Sequence, residues 1–591
     1  MGCDPLVLMV KLCYIITLFQ TTAFVFLSDF VFGMEASIPQ KKTNTPSKHH
    51  KNVVFVGFLW LCFFLYGLYV LGMLQHSLRL LGYPFAVDYV EWPEISRAVQ
   101  LLNNERIYDD SWTDFPIRVA NYPPFFTFVH AIGICLTSPT PFIGRLIALL
   151  CTCGIMVLIA KIVNQSQSQE KNVVVPILAG FLYASSHMTW LWSSLVRVDN
   201  LAILLSLTAI YLYISPSSEE PSRSKNIALL FCACALFTKQ TMLAAPLSIL
   251  LHTFVFEREH LKHRLLYFGG TFGFLYISLM VFTGGHAYRH LVIANINIFD
   301  WEIFGAFWRD FWSLYHWTCP LIAMGVFVLF QPTEQKHNNT NFVLLLYGIF
   351  ALLFSVSIAK VGSSLNYVLE LWVVVSMLIG LALQFPIYVR GIKKVTSSIF
   401  VVLLLLYGWQ NIFHVPWERQ RVGNQKMRAM ALGTWNDIAT YSTYLPFHYL
   451  NPRSGSPVEI IKRNVKLYTP TPAQWELDMM FEIDDYIQQK AKKPILSEDM
   501  NFYTIGSGHD IMFQSFEMRQ MAIQGIFDED VLHDCLRKGS NCVPTLVLMF
   551  DIDSDINYVS GQRFGSTTVD LMREFYERSA QLGPYYIYTA K

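Results

Sequence analysis

The run VVFVGFLWLCFFLYGLYVLGML (residues 53–74), followed from residue 84 by PFAVDYVEWPEISRAVQLLNNERIYDDSWTDFPIRVANYPPFF (84–126), decides the fold class. The first segment is 22 residues long and uncharged, enough for one helix to cross the hydrocarbon layer. The second is crowded with acids: Asp88, Glu91, Glu94, Glu105, Asp109, Asp110 and Asp114. Upstream lies QKKTNTPSKHHK (40–51), basic, polar and expected to be disordered. The positive-inside rule puts that segment in the cytoplasm and therefore the acidic block in a lumen or outside the cell.

Working outward, the composition points to many spans. Of 591 residues, 53% are hydrophobic and only 15% charged, against about 25% charged in soluble proteins. Mean hydropathy is +0.36. A net charge of +1 gives no global field to attract nucleic acid. Apolar segments recur near 123–138, 141–163, 172–190, 199–214, 227–238, 241–256, 266–283, 311–330, 342–358, 367–386 and 397–413, with another at 6–27 that reads as signal or span. The expected fold class is thus an all-α polytopic membrane domain of about 11–13 apolar segments, followed by a small α/β lumenal domain. Residues 1–52 form an N-terminal apolar segment and basic linker, 53–413 the membrane domain with its first lumenal loop at 76–122, and 414–591 the C-terminal domain.

The later loops orient consistently: EREHLKHR (257–264) and VRGIKK (389–394) are cytoplasmic, while GGHAYRHLVIANINIFDWE (284–302) and KVGSSLNY (360–367) are lumenal. The early half does not count out. Six apolar segments between Tyr122 and Glu257 return the chain to the wrong side, so one must be re-entrant, merged or non-spanning, and the short pieces around Lys239 are the first choice. Asn338, in an Asn-Asn-Thr sequon, falls in the cytoplasm and is expected to be unmodified.

Beyond Pro416 the chain turns polar. A helix in the stretch ending FEIDDYIQQK, strands in PILSEDMNFYTIGS and NCVPTLVLMFDI, and a helix stopping at Gly539 describe the small α/β domain. Of 11 cysteines, most lie in apolar runs, and the CTC and CAC pairs have the wrong spacing for metal or redox chemistry. Cys535 and Cys542 are the exception, a plausible local disulfide if that region faces an oxidising lumen.

An enzyme that transfers a group to a hydroxyl needs a carboxylate to accept the hydroxyl proton, and a second can hold a metal or the acceptor. Asp88 and Glu91, three residues apart in AVDYVEWPE, sit in an apolar and aromatic setting that suggests partial burial rather than a solvated loop. Tyr122 precedes two prolines that open the next helix, as punctuation or as a contact at the lumenal surface. Arg197 and Asp199 head an apolar helix, where Asp199 is an N-cap or a functional residue. Lys239, between two apolar halves, either snorkels or meets a lipid phosphate. His286, Arg289 and His290 lie in a lumenal loop; the histidine spacing suits a metal, without HExxH. Lys360, Asn366 and Tyr367 straddle the start of a span, beside glycine and serines that let backbone approach a ligand, and Glu370 within that span must face a cavity or partner.

In order, Asp88/Glu91, Tyr122-Pro123-Pro124, Arg197-Val198-Asp199 and Thr238-Lys239 resemble the GT-C class of polytopic glycosyltransferases. The likeness is to the branch of the protein O-mannosyltransferases and the bacterial transferase that puts aminoarabinose on lipid A. It covers 53–413 well and the tail loosely. The resemblance implies a sugar donor on a polyprenyl (dolichyl) phosphate, transferred in the lumen with inversion. It makes Asp88 the general base and Glu91 a second base or a ligand for a divalent cation. Lys239, Lys360, Arg289 and Arg197 then face the donor phosphate, and Tyr122, Asp199, Asn366, Tyr367, His286 and His290 the substrates. Two departures stand out: the O-mannosyltransferases pair Asp-Glu directly, here Asp-Tyr-Val-Glu, and their large inserted lumenal domain is missing. The implied compartment is the endoplasmic reticulum or another endomembrane. A lipid or solute transporter is the alternative, but internal repeats of its spans are not visible.

Overall fold

The computed structural model describes residues 53–108, 112–166, 173–215, 221–330, 335–388, 402–405, 474–498, 511–554, 563–583 and 585–591. The expectations for residues 1–52, for the loop at 389–394 and for most of the segment at 397–413 lie outside them. Within the described residues the chain is mostly helical, with one small sheet near its C-terminus.

Among the described residues four helices are long and apolar enough to cross a membrane: Val56–Leu81, Pro141–Gln165, Arg258–Phe282 and Thr340–Ala359. Six further apolar helices are shorter, among them Phe125–Leu136, Val174–Ser185 and Ala244–Phe256. The helices at 125–136 and 174–185 have 12 residues each, roughly 18 Å at 1.5 Å per residue, well short of the ~30 Å hydrocarbon layer. The segment count from sequence therefore exceeds the number of full-length spans. The shortfall begins before Lys239 as well as beside it.

The helices pack on a continuous apolar core that includes Tyr66, Tyr183, Tyr347 and Trp372, all nearly inaccessible. Outward-facing Phe64, Leu71, Phe274 and Phe282 are exposed, as expected where the surrounding solvent is lipid. Gly325 lets two helices touch backbone to backbone. A Cβ there would lie 2.2 Å from the carbonyl oxygen of Leu378, the small-residue contact typical of membrane helix pairs. Glu370, in the helix Leu369–Tyr388, has its partners inside the bundle, accepting from Ser206 at 2.7 Å and Tyr347 at 3.0 Å.

The C-terminal part carries helices Gln474–Gln489, Ser515–Ile523, Asp530–Lys538 and Ser566–Phe575 around a four-stranded sheet. The strands are β1 (Ile495–Ser497), β2 (Thr545–Leu548), β3 (Tyr576–Leu582) and β4 (Tyr585–Ala590), in the order β1-β2-β4-β3. β1 and β2 are parallel; β4 is antiparallel to both β2 and β3. The helix 530–538 stops where Gly539 takes φ +48°, a position that suits glycine. The β3–β4 hairpin has no counterpart in the sequence reading. Its outer strand YERSAQL is an exposed, charged edge, so it lacks the apolar alternation by which strands are recognised. Cys535 and Cys542 are disulfide-bonded, with Cα atoms 5.3 Å apart.

Candidate active site

The acidic loop is fixed by one buried ion pair. Arg145, near the start of the helix Pro141–Gln165, uses all five of its N–H donors. Two go to Glu91, at 3.0 Å to Oε1 and 2.8 Å to Oε2, and three to the carbonyls of Leu80, Tyr83 and Phe85. Glu91 also accepts from the backbone N–H groups of Val87 at 2.7 Å and Val196 at 2.9 Å. Four donors fill its carboxylate, and neither Glu91 nor Arg145 has any exposed side-chain surface. No lone pair is left for a metal or a hydroxyl proton. Glu91 shapes the loop, in contrast to the base or metal ligand that the sequence suggested.

Asp88, three residues earlier, is partly open, with 18% of its side chain exposed. Arg197 donates to its Oδ2 from Nη2 at 2.6 Å and from Nε at 2.9 Å, and Val90 N–H reaches the same oxygen at 3.3 Å. All these bonds converge on Oδ2; Oδ1 receives none of them.

Arg197 also feels the charge of Asp199, the first residue of the helix Asp199–Ile214. Asp199 is completely buried. Its Oδ1 accepts from Lys239 Nζ at 2.6 Å and from Asn366 Nδ2 at 2.9 Å. The Lys239 ammonium lies 4.4 Å from the centre of the Tyr367 ring. Tyr122 senses both Asp199 and Tyr367. Six residues, from Tyr122 to Tyr367 in the chain, thus meet at the ends of helices and the turns beside them. Here burial decides the chemistry, since an unpaired charge at such a site would be costly.

Lys360 follows the short turn 356–359, and its backbone bridges to Phe299. No carboxylate lies within ion-pair distance of it among the described residues. Burial, and then the like charge of Lys239, depress its pKa from 10.5 to about 8. The loop histidines separate. His290 is buried, and its Nδ1 accepts from the Ala120 N–H at 3.1 Å, which ties it to the acidic loop. Arg289 lies 5.0 Å from the Trp112 ring. His286 opens the same six-residue helix, next to Gly285 at φ +88°. Among the described residues no group of three or more His, Cys, Asp or Glu is placed to hold a metal.

The C-terminal domain completes the site. Ile117 pairs with Phe513, accepting from Gln514 N–H and donating to the Met512 carbonyl, while Gln514 Oε1 accepts from the Val119 N–H. Three residues after Gln514, Glu517 accepts from the Tyr89 hydroxyl at 2.9 Å and from Asn121 Nδ2 at 3.5 Å. Burial, above all, raises the pKa of Glu517. Arg563 lies over the rings of Tyr89, at 4.1 Å, and Phe516, at 5.2 Å. Sequence reading missed Arg145, Gln514 and Glu517, because their partners lie 54 to 428 residues away. Only the uncommon arginine near the head of an apolar helix was a signal.

The comparisons agree with this architecture. The family model described as dolichyl-phosphate-mannose-protein mannosyltransferase matches residues 121–282, the stretch that carries Tyr122, Arg197, Asp199 and Lys239. No curated relative matches the chain. The structure of ArnT from Cupriavidus metallidurans in the apo state superposes with a TM-score of 0.55 at 14% identity, over 91% of this chain and 97% of that one. The chain has the GT-C fold. The same bacterial protein bound to undecaprenyl phosphate gives 0.54 at 13% identity, over 92% and 98%. The oligosaccharyltransferase AglB from Archaeoglobus fulgidus, in complex with an inhibitory peptide and a dolichol-phosphate, gives only 0.42 at 11%, over 91% and 74%. The GT-C resemblance read from the loop motifs is thereby borne out in the fold, as is the helical membrane class with a small C-terminal sheet.

Proposed function

We propose that this chain is an integral-membrane glycosyltransferase that moves a sugar from a polyprenyl-phosphate donor to an acceptor hydroxyl. The observation that carries this is Asp88: a half-buried carboxylate held by Arg197 through one oxygen, its other oxygen unengaged by that clamp. The acceptor hydroxyl attacks the anomeric carbon and gives its proton to Asp88 Oδ1. The bond from that carbon to the phosphate oxygen breaks, its electron pair leaves with the phosphate, and polyprenyl phosphate is released. Lys360 meets the growing negative charge on that phosphate, while Lys239 is engaged with Asp199. Arg197 orients the base, and Glu91 with Arg145 sets the loop on which it sits.

The matched family description favours a mannosyl-type hexose on dolichyl phosphate and, with that carrier, an endoplasmic reticulum membrane; the basic loops favour the site's being on the lumenal side. ArnT bound to undecaprenyl phosphate supports a polyprenyl carrier. The polar groups gather at the ends of helices, which fits an enzyme working at one face better than a transporter. Asp88→Asn tests the assignment. Purified variant, incubated with polyprenyl-phosphate sugars and acceptor lysate, is expected to lose transfer by about 10²–10⁴-fold while keeping wild-type expression and melting temperature. Unchanged transfer overturns Asp88 as the base.

A further inference from the structure

Around the Asp199–Lys239 pair, buried oxygen atoms face no partner. They are Asp199 Oδ2, Asn366 Oδ1, Gln240 Oε1, Asn121 Oδ1 and the hydroxyl Oγ1 of Thr241. The amide orientations follow from their nitrogens. Asn366 Nδ2 donates to Asp199 Oδ1 at 2.9 Å, Gln240 Nε2 to the Asn121 carbonyl at 3.0 Å, and Asn121 Nδ2 to Glu517 at 3.5 Å. A flipped amide would turn an oxygen toward an acceptor in each case. The oxygens are therefore the open ends, and they are acceptors. Buried acceptors without donors are rare in native proteins, because each one forfeits its solvation. Here four carboxylate and carboxamide oxygens share one neighbourhood, tied together by Lys239, Gln240 and Asn121.

Such a set repels a phosphate, itself only an acceptor, and calls for hydroxyl or amine hydrogens. The one ionised member, Asp199, is already neutralised by Lys239 at 2.6 Å, and Lys360 adds a further positive charge nearby. An ammonium would enter beside two ammonium groups already there, Lys239 and Lys360. Neutral hydroxyls satisfy the oxygens without that penalty.

We propose that Asn121, Asp199, Gln240 and Asn366 form the subsite that reads the hydroxyls of the donor sugar, and that it selects a neutral, polyhydroxylated sugar over an amino sugar. This rests on the transferase reading and assigns the sugar end of the donor, separate from the phosphate end at Lys360. Specificity has two sources: a sugar with no donor at the matching position leaves the acceptors unsatisfied, and an amino sugar satisfies them only by placing its charge beside Lys239 and Lys360.

The test measures binding of three ligands to the full-length protein in detergent: sugar-free polyprenyl phosphate, a polyprenyl-phosphate neutral hexose, and a polyprenyl-phosphate amino sugar. Wild type is expected to bind the hexose donor at least tenfold more tightly than the other two. Gln240→Met, close in shape, and Asn366→Ala are each expected to weaken hexose-donor binding by about tenfold, the worth of one hydrogen bond, and to leave sugar-free polyprenyl phosphate unaffected. Equal loss for both ligands, no loss for either variant, or amino-sugar binding as tight as hexose overturns the subsite. Failure of the wild type to bind polyprenyl phosphate at all overturns the transferase reading beneath it.

Discussion

Lys360 shows how far one side chain's setting departs from its type. Its pKa, depressed to about 8 by burial and Lys239, lies below that of the same lysine in an unfolded chain. The charged form is disfavoured in the folded protein, so stability rises as pH climbs from about 8 toward the ordinary lysine range. Donor binding moves the other way, since the amine that meets the phosphate loses its proton over the same window. Donor affinity is expected to fall between pH 8 and 10 while the melting temperature rises, and Lys360→Arg should flatten the fall in affinity; a parallel decline of both would remove Lys360 from the phosphate site. Glu91 teaches the converse. Its sequence neighbourhood marked it as chemical, and its partners make it architectural. Arg145→Met leaves that carboxylate buried and unpaired, which is expected to cost about 3–5 kcal/mol, read as a large drop in melting temperature. Replacing both partners with apolar residues should recover most of it.

At the level of elements, the helices follow from composition and their contacts from small residues. Gly325→Ala pushes a methyl into the Leu378 carbonyl, at 2.2 Å. A backbone atom cannot swing aside as a side-chain end can, so the helices 319–329 and 369–388 must part. A loss of about 1–3 kcal/mol is expected, measured as lowered thermal stability. Gly270→Ala, where an added Cβ meets nothing within 4 Å, is expected to change nothing or to stabilise slightly. The same level explains where element reading failed. Helices 474–489 and 530–538 carry amphipathic patterns and were legible; β3 is a polar edge held by its pairing with β4 and was not.

For the whole molecule, the pairing of Ile117 with Phe513 fixes a topological fact. The first acidic loop and the C-terminal domain lie on the same side of the membrane. Our proposal, from the charge asymmetry of the loops, is that this side is lumenal and that Asn338 faces the cytoplasm. Glycosidase treatment of protein from a eukaryotic host is expected to show no shift attributable to Asn338, and an Asn338→Gln variant no change in mobility. Glycan at Asn338 would invert the orientation and move the site to the cytoplasm.

The sequence alone determined the membrane class, the acidic loop and the order of the GT-C motifs, because hydrophobic length and loop charge are local properties that need no folded context. Asp88 could be singled out for the same reason, as an acid in an apolar setting just past a span. Tertiary structure decided which acid stays open: Glu91 is filled by Arg145, 54 residues away, and Asp88 is clamped on one oxygen by Arg197. It also decided that residues between Tyr122 and Tyr367 share one buried cluster, and that Glu517 reaches Tyr89 from the far end of the chain. Ion pairing and desolvation depend on what surrounds a group in space, and that is set only when the helices and the C-terminal domain have closed around it.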